Sequence, residues 1–400
     1  MVLLKRLLFK LSDSAKVLPA FLPSRMLSGN IADNATSTTA QRVIFHGPKM
    51  RLESEFAEIP EIEEGEILGR ITAATICGSD LHTIIGRRKE PVPSILGHEG
   101  VVEVIKHKCP HKDLKIGDRL TFTIADFCHD CERCESDLPQ KCFSLFKYGH
   151  ADMNSGTGWN GCYATHLVIR KGTHIVKLPD NVPDKIGATL NCALASMTNA
   201  VEPLMNLGNL AEKREENKKK TVLVQGAGLL GIYSCALFKE AGYGNIYCCD
   251  VHPQRLKMAE KFGAVSLNQD KKEEQMLKDN SVDTVMEVGG VKKVFLEGMR
   301  VIKPGGHYSF VGLVHPNSEL DVTAEQIIRK CLTFRGIHNY GPRHLEQAVE
   351  FLSSTVDKYP YDELVSSSFD LDQVNEAVEL ALTKKFLRVC VEPGLGKVTK

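Results

Sequence analysis

Four short apolar runs, rich in β-branched and aromatic residues, mark the second half of the chain: TVLVQ (Thr221 to Gln225), NIYCCD (ending at Asp250), VDTVMEV (282–288) and HYSFVGL (307–313). Runs of this length bounded by turn residues read as buried strands. Stretches of helical character separate them, beginning with IYSCALFKEAG after the first run. Alternating strands and helices predict a parallel sheet covered by helices on both faces, a doubly wound α/β domain. A different rhythm opens the chain, where Leu4, Leu7, Leu8 and Leu11 repeat at helical spacing among Lys5, Arg6, Lys10, Lys16 and Arg25, with acids at Asp13 and Asp33. This basic, amphipathic, hydroxyl-containing start predicts a mitochondrial transit peptide over residues 1–41 and hence the mitochondrial matrix, with a disordered cytoplasmic tail as the alternative. The acidic run from Glu53 to Glu66 and the mixed run from Glu212 to Lys220 read as solvated loops or faces.

The first apolar run leads directly into Gly226-Ala227-Gly228-Leu229-Leu230-Gly231. Strand, G-x-G-x-x-G and helix in this order make a dinucleotide-binding turn. Gly226 permits the tight turn, Gly228 lets backbone approach a pyrophosphate, and Gly231 allows close packing of helix on strand. The amides that open the helix, at Leu229 and Leu230, would hold the phosphates. Asp250 ends the second run where a carboxylate meets the adenosine ribose; it would accept from a 2′-hydroxyl and repel a 2′-phosphate, so NAD is expected rather than NADP. Arg255 nearby is the residue that would favour the phosphate instead. Ligands lie beyond the C-terminal ends of such strands, which puts Val288, Gly289 and Gly312 on the nicotinamide side, although a strand end and two turn glycines explain them equally.

Charge narrows the function by exclusion. Fifty basic and fifty acidic residues cancel, so nothing draws the chain to nucleic acid or an anionic membrane, and no later segment offers the roughly 18 apolar residues of a span. An apolar content of 42% over 400 residues suffices for two domains. Thirteen cysteines are too dispersed for a small secreted scaffold. Four of them nevertheless concentrate as Cys128, Cys131, Cys134 and Cys142, and a C-x2-C-x2-C-x7-C set that can close around one tetrahedral ion reads as structural zinc. Disulfides would require an oxidising compartment. A ferredoxin-like electron carrier would need its fourth cysteine about three residues on and before proline, whereas Phe143 follows Cys142.

Ahead of the nucleotide turn lie Cys77-Gly78-Ser79-Asp80-Leu81-His82 and Gly97-His98-Glu99. Thiol and imidazole suit zinc, and a catalytic zinc takes about three protein ligands while keeping one position open. Cys77 and His98 supply two; the third is Cys192, in NCALAS, or Glu202, in Glu202-Pro203-Leu204. A lone buried cysteine or histidine is more often packing. The whole set, with the four-cysteine lobe between its second and third members and the Rossmann turn after it, resembles the zinc-dependent medium-chain alcohol dehydrogenase family over residues 42 to 395. CGSDLHTxxGRR, CALASMTN and RGIHNYGPRHL resemble, more narrowly, a branch named for association with phosphonate catabolism.

The resemblance implies a GroES-like, mostly-β catalytic domain over 42–192 and 340–400, a structural-zinc lobe at 126–143, and an inserted Rossmann-type NAD domain at 193–339. It implies catalytic zinc on Cys77, His98 and Cys192, with Glu99 approaching the metal without being one of those three ligands. Ser79 and His82 match a proton relay, and Asp80 a residue that orients the zinc-binding histidine. Gly78 stands where ethanol-oxidising members carry a basic contact to the cofactor phosphate, which leaves Arg388 for that contact. The expected activity is hydride transfer from a small polar alcohol, phosphonate-like if Arg87, Arg88 and Arg343 hold an anion; Arg87 and Arg88 read equally as solvated loop charges. Polyol or L-threonine-type dehydrogenation and a noncatalytic NAD-binding role are the alternatives. A homodimer or homotetramer is implied, paired through sheet edges.

Overall fold

A computed structural model describes residues 39–205, 210–267, 277–314 and 317–395. Nearly all of the leader expected over 1–41 lies outside these residues. At its end, Thr39–Ile44 is already a strand, paired antiparallel with Glu53–Glu58. The first part of the acidic run is therefore a sheet edge rather than a loop, with Glu53 and Glu58 exposed and Glu55 half-buried against Arg42.

The apolar runs of the second half form one six-stranded parallel sheet. Its order is Val265–Leu267, Asn245–Cys249, Thr221–Gln225, Val282–Glu287, Ile302–Phe310 and Thr333–Gly336. By order of appearance this is 3-2-1-4-5-6, whose reversal opens a crevice beyond the first and fourth strands. The central strand Thr221–Gln225 is buried along nearly its whole length because helices cover both faces, which explains its unbroken apolar pattern. Only HYSF of the run HYSFVGL is strand, the end of a longer one that begins at Ile302 and stops at Phe310.

The second large sheet is mostly antiparallel, ordered Val365–Phe369, Arg388–Val391, Ile67–Thr75, Glu99–His107, Arg119–Phe122 and Ile175–Lys177, with His166–Ile169 also pairing on Ile67–Thr75. The chain thus returns after the parallel sheet to complete the first one. Cys390 faces Thr75 across an antiparallel register, so Arg388 continues along that register toward Cys77. The largest apolar core runs from Val101, Leu178 and Leu190 through Met197 and Ala200 to Val222, Ile232 and Phe238, joining the helical linker to the parallel sheet. Among the described residues no helix is long and apolar enough to cross a membrane.

Candidate functional site

Three local devices deliver the donors of the buried cluster. Cys77 leaves the strand Ile67–Thr75 and caps the short helix Gly78–Ile84, with its amide donating to Asp80 Oδ2 at 3.0 Å. His98 follows Gly97, whose positive φ of 85° and contact with the Tyr163 ring exclude a side chain. Cys192 sits in a wide π-helical turn, Leu190–Leu194, a distortion that redirects side chains and recurs at functional sites. One ligand atom each from Cys77, His98, Glu99 and Cys192 lie within 4.8 Å of one another.

Asp80 Oδ1 approaches His98 Nδ1 at 3.3 Å, while Tyr163 donates to Asp80 Oδ2 at 3.1 Å. A carboxylate on that side favours a proton on Nδ1 and leaves Nε2, 3.4 Å from Ser79 Oγ, to face the thiols. Burial opposes a charged His98, but Asp80 and Cys77 outweigh it and raise the imidazole to about 10. Cys77 is held well below the usual thiol range by the Cys192 hydrogen bond, against burial and with help from Arg388 and His98; Cys192 is raised correspondingly. The pocket therefore stabilises positive charge next to two sulfurs, the electrostatic requirement for a divalent cation.

Arg388, expected at the cofactor phosphates, is engaged with this cluster. Its Nε donates to Glu99 Oε2 at 2.6 Å, Nη2 to Glu99 Oε1 at 2.8 Å, and Nη1 to the Leu387 carbonyl at 3.0 Å; Nη2 also lies 3.6 Å from Cys77 Sγ. Glu99 further accepts from Thr75 Oγ1 at 2.6 Å. Burial still raises this carboxyl to about 7, with Arg388 opposing. Asn191, unremarked in the sequence, ties the ligand segments together by donating to the His98 carbonyl at 2.9 Å and accepting from Gly100 N at 3.4 Å.

Glu202 is not part of the cluster. Arg343 holds it with paired bonds of 2.9 Å from Nε and Nη2, and His344 and Gln347 add contacts at 3.2 Å each. Chiefly because of Arg343, this carboxyl is pulled down to about 2. The same guanidinium also pairs with Asp137 of the cysteine lobe. Arg343 is therefore a strut between lobe and helix rather than an open substrate contact, and the linker helix Ala195–Met205 points Glu202 away from Cys77. Arg88 pairs with Glu90 at 2.5 Å, Arg87 is exposed, and both backbone amides bond to the His82 carbonyl.

Cys128, Cys131, Cys134 and Cys142 converge with Sγ separations of 3.4, 3.5, 3.9 and 3.9 Å among their pairs. Zn–S bonds near 2.3 Å require tetrahedral edges of about 3.8 Å, whereas a disulfide requires about 2.05 Å. Backbone amides of Cys128 and Ser144 point at Cys142 Sγ, 3.4 and 3.3 Å away, as expected of a thiolate.

At the nucleotide turn the three glycines differ as their roles demand. Gly226 has φ +119°, and an added Cβ there would meet Gly289 Cα at 2.8 Å. One on Gly228 would meet nothing within 4 Å, leaving room for a ligand, and one on Gly231 would meet the Gly226 carbonyl oxygen at 1.9 Å. Leu229 and Leu230 begin the helix Leu229–Glu240, whose first amides have no intrahelical acceptor. Asp250 accepts from Ala227 N and His252 N at 2.8 Å each, bracing the turn. Arg255 reaches the Lys384 carbonyl at 3.3 Å. Val288, Gly289 and Gly312 meet beside Gly226, above the buried Glu287, which accepts from the amides of Gly290, Gly312 and Leu313 at 2.6 to 3.1 Å. Glu287 is thus a buried carboxylate gathering backbone donors beneath these turns, a role with no sequence signature beyond an acid at a strand end.

Comparison with known proteins gives two family matches, "Alcohol dehydrogenase GroES-like domain" over residues 63–180 and "Glucose dehydrogenase C-terminus" over residues 195–391. The 5-exo-hydroxycamphor dehydrogenase of Pseudomonas putida is 25% identical over 363 residues, 86% of this chain and 96% of that protein. The L-threonine 3-dehydrogenase of Escherichia coli K12 is 27% identical over 336 residues, 80% of this chain and 90% of that one. Among solved structures, an alcohol dehydrogenase from Thermotoga maritima superimposes with a TM-score of 0.81 at 27% identity, covering 89% of this chain and 99% of its own.

Proposed function

The chain belongs to the medium-chain alcohol dehydrogenase family, and we propose that it oxidises a small polar alcohol with NAD in the cleft where Cys77, His98 and Cys192 meet. The convergence of these donors within 4.8 Å, beside a carboxylate already claimed by an arginine, carries the reading. Zinc bound there supplies a Lewis acid to the alcohol oxygen, and NAD supplies the hydride acceptor. Asp80 holds His98 in the tautomer that turns Nε2 toward the metal. Ser79 Oγ stands beside that nitrogen and accepts the alcohol proton, and His82, one turn on along the same helix, passes it outward. Arg388 neutralises Glu99 and so keeps that carboxylate from joining the thiolates. The open space at Gly228 and the helix start receive the pyrophosphate, with Asp250 beside the ribose favouring NAD.

The phosphonate-type substrate rests on the CGSDLHTxxGRR likeness, while the relatives named L-threonine 3-dehydrogenase favour threonine as a second reading. Both alcohols carry an anionic group. The edge strand Thr333–Gly336 is the natural seam for a homodimer or homotetramer. Matrix import rests on the leader, which lies outside the described residues. The test is zinc analysis beside NAD reduction over 2-hydroxyethylphosphonate, L-threonine, sorbitol and simple alcohols. Two zinc ions per chain, one for each cluster, with NAD-linked turnover are expected; zinc in the lobe alone and no turnover would overturn the reading.

A further inference from the structure

The lobe stands on a two-stranded ribbon, Ala125–Asp126 with Phe146–Lys147. Phe146 and Tyr148 share one face, with ring centroids 5.6 Å apart and the Arg170 guanidinium 4.1 Å from the Phe146 ring centre. Strand alternation turns Lys147 to the other face. On that side its charge interacts with those of Arg88, Glu90, Cys77 and Cys192. The same ribbon turns at once into His150, whose amide bonds to the Lys147 carbonyl at 3.2 Å and whose ring centroid lies 4.8 Å from that of His98. His150 Nδ1 donates to the Tyr148 carbonyl at 2.8 Å.

Of the other cations near this cleft, Arg87 is exposed, while Arg88 pairs with Glu90, Arg388 with Glu99, Arg343 with Glu202 and Asp137, and Lys141 with His338 Nδ1 at 2.6 Å. Among the described residues the Lys147 ammonium has no hydrogen-bond or ion-pair acceptor. Burial first, then Arg88, lowers its pKa, as happens to a desolvated cation lacking its counter-ion. We propose that Lys147 is the anion-holding residue of the substrate cleft, taking the carboxylate or phosphonate of an alcohol whose hydroxyl faces Cys77, His98 and Cys192. This assignment rests on the reading of that cluster as the site of alcohol oxidation. With Arg88 and Glu90 cancelling, one positive charge remains for one negative group, and neutral alcohols gain nothing from it.

Two readouts test the assignment. Calorimetry with zinc- and NAD-loaded enzyme uses methylphosphonate and propionate as probes against wild type, Lys147→Met and Lys147→Arg. Wild type binds one or both, Lys147→Met weakens that binding by about 10- to 100-fold, and Lys147→Arg restores most of it. The tighter probe identifies the anion as phosphonate or carboxylate. Wild type binding neither probe, or Lys147→Met binding as wild type does, overturns the proposal. In kinetics, the kcat/KM ratio of 2-hydroxyethylphosphonate or L-threonine to 1-propanol falls by a similar factor in Lys147→Met; an equal loss on both substrate types would reduce the lysine to a structural part. Anion binding without turnover of any alcohol would sink the dehydrogenase reading and leave the subsite standing.

Discussion

Two sulfur-rich clusters in this molecule solve opposite problems. In the lobe, four thiols at the tetrahedral edge length take every position around an ion, and half-exposed surroundings suffice because nothing else has to approach it. In the cleft, two thiols and an imidazole share a buried pocket with Glu99, a potential fourth donor that Arg388 claims. The difference teaches that keeping a coordination position open takes more than omitting a ligand. A nearby carboxylate must also be prevented from filling it.

Removing a ligand should separate the clusters most sharply. Cys77→Ser should lower kcat/KM by about 10³-fold or more, as expected for losing several kcal/mol of Lewis-acid stabilisation, and should leave lobe zinc in place by elemental analysis. The mirror change, Cys134→Ala, should cost about 3 kcal/mol or more in urea unfolding while the folded fraction still turns over, because this cluster holds shape rather than substrate. If both variants lost activity equally without unfolding, the division of labour would be wrong.

Arg388→Met addresses what keeps the coordination position open. It frees Glu99 to take the open position, so kcat/KM should fall by about 10- to 100-fold while zinc is retained, and Glu99→Gln in the same chain should recover part of the loss. Unchanged turnover would show that Glu99 needs no restraint. Arg343→Met is the smallest effect, about 1 kcal/mol or less at a partly exposed site. Glu202 is held down to about 2 from 4.5, so its contribution is present above pH 4.5 and fades as pH falls toward 2. The gap between wild type and variant should narrow over that window; a constant gap would remove Glu202 from the account.

The two clusters were also unequally legible from the chain. Four cysteines between Cys128 and Cys142 carry their own geometry in their spacing, whereas Cys77 and Cys192 meet through the fold. Strand runs such as TVLVQ were readable because burial on both faces leaves an unbroken apolar pattern, and the doubly wound sheet followed from their alternation with helices. The pairing of Arg388 with Glu99 was not legible because it comes from register: the antiparallel pairing of Cys390 with Thr75 carries Arg388 to Cys77 and Glu99 across the whole chain. Glu202 looked like a ligand beside its proline, but Arg343 reaches it from a distant helix. Lys147 was not singled out from the chain, because a single cation between Phe146 and Tyr148 carries no motif of its own.

The most direct measurement is diffraction from zinc-loaded crystals on both sides of the zinc absorption edge. Two anomalous peaks per chain are expected, one inside the four cysteines and one touching Cys77, His98 and Cys192, with Glu99 still paired to Arg388. A single peak in the lobe, or a second ion bound by Glu202, would contradict the account.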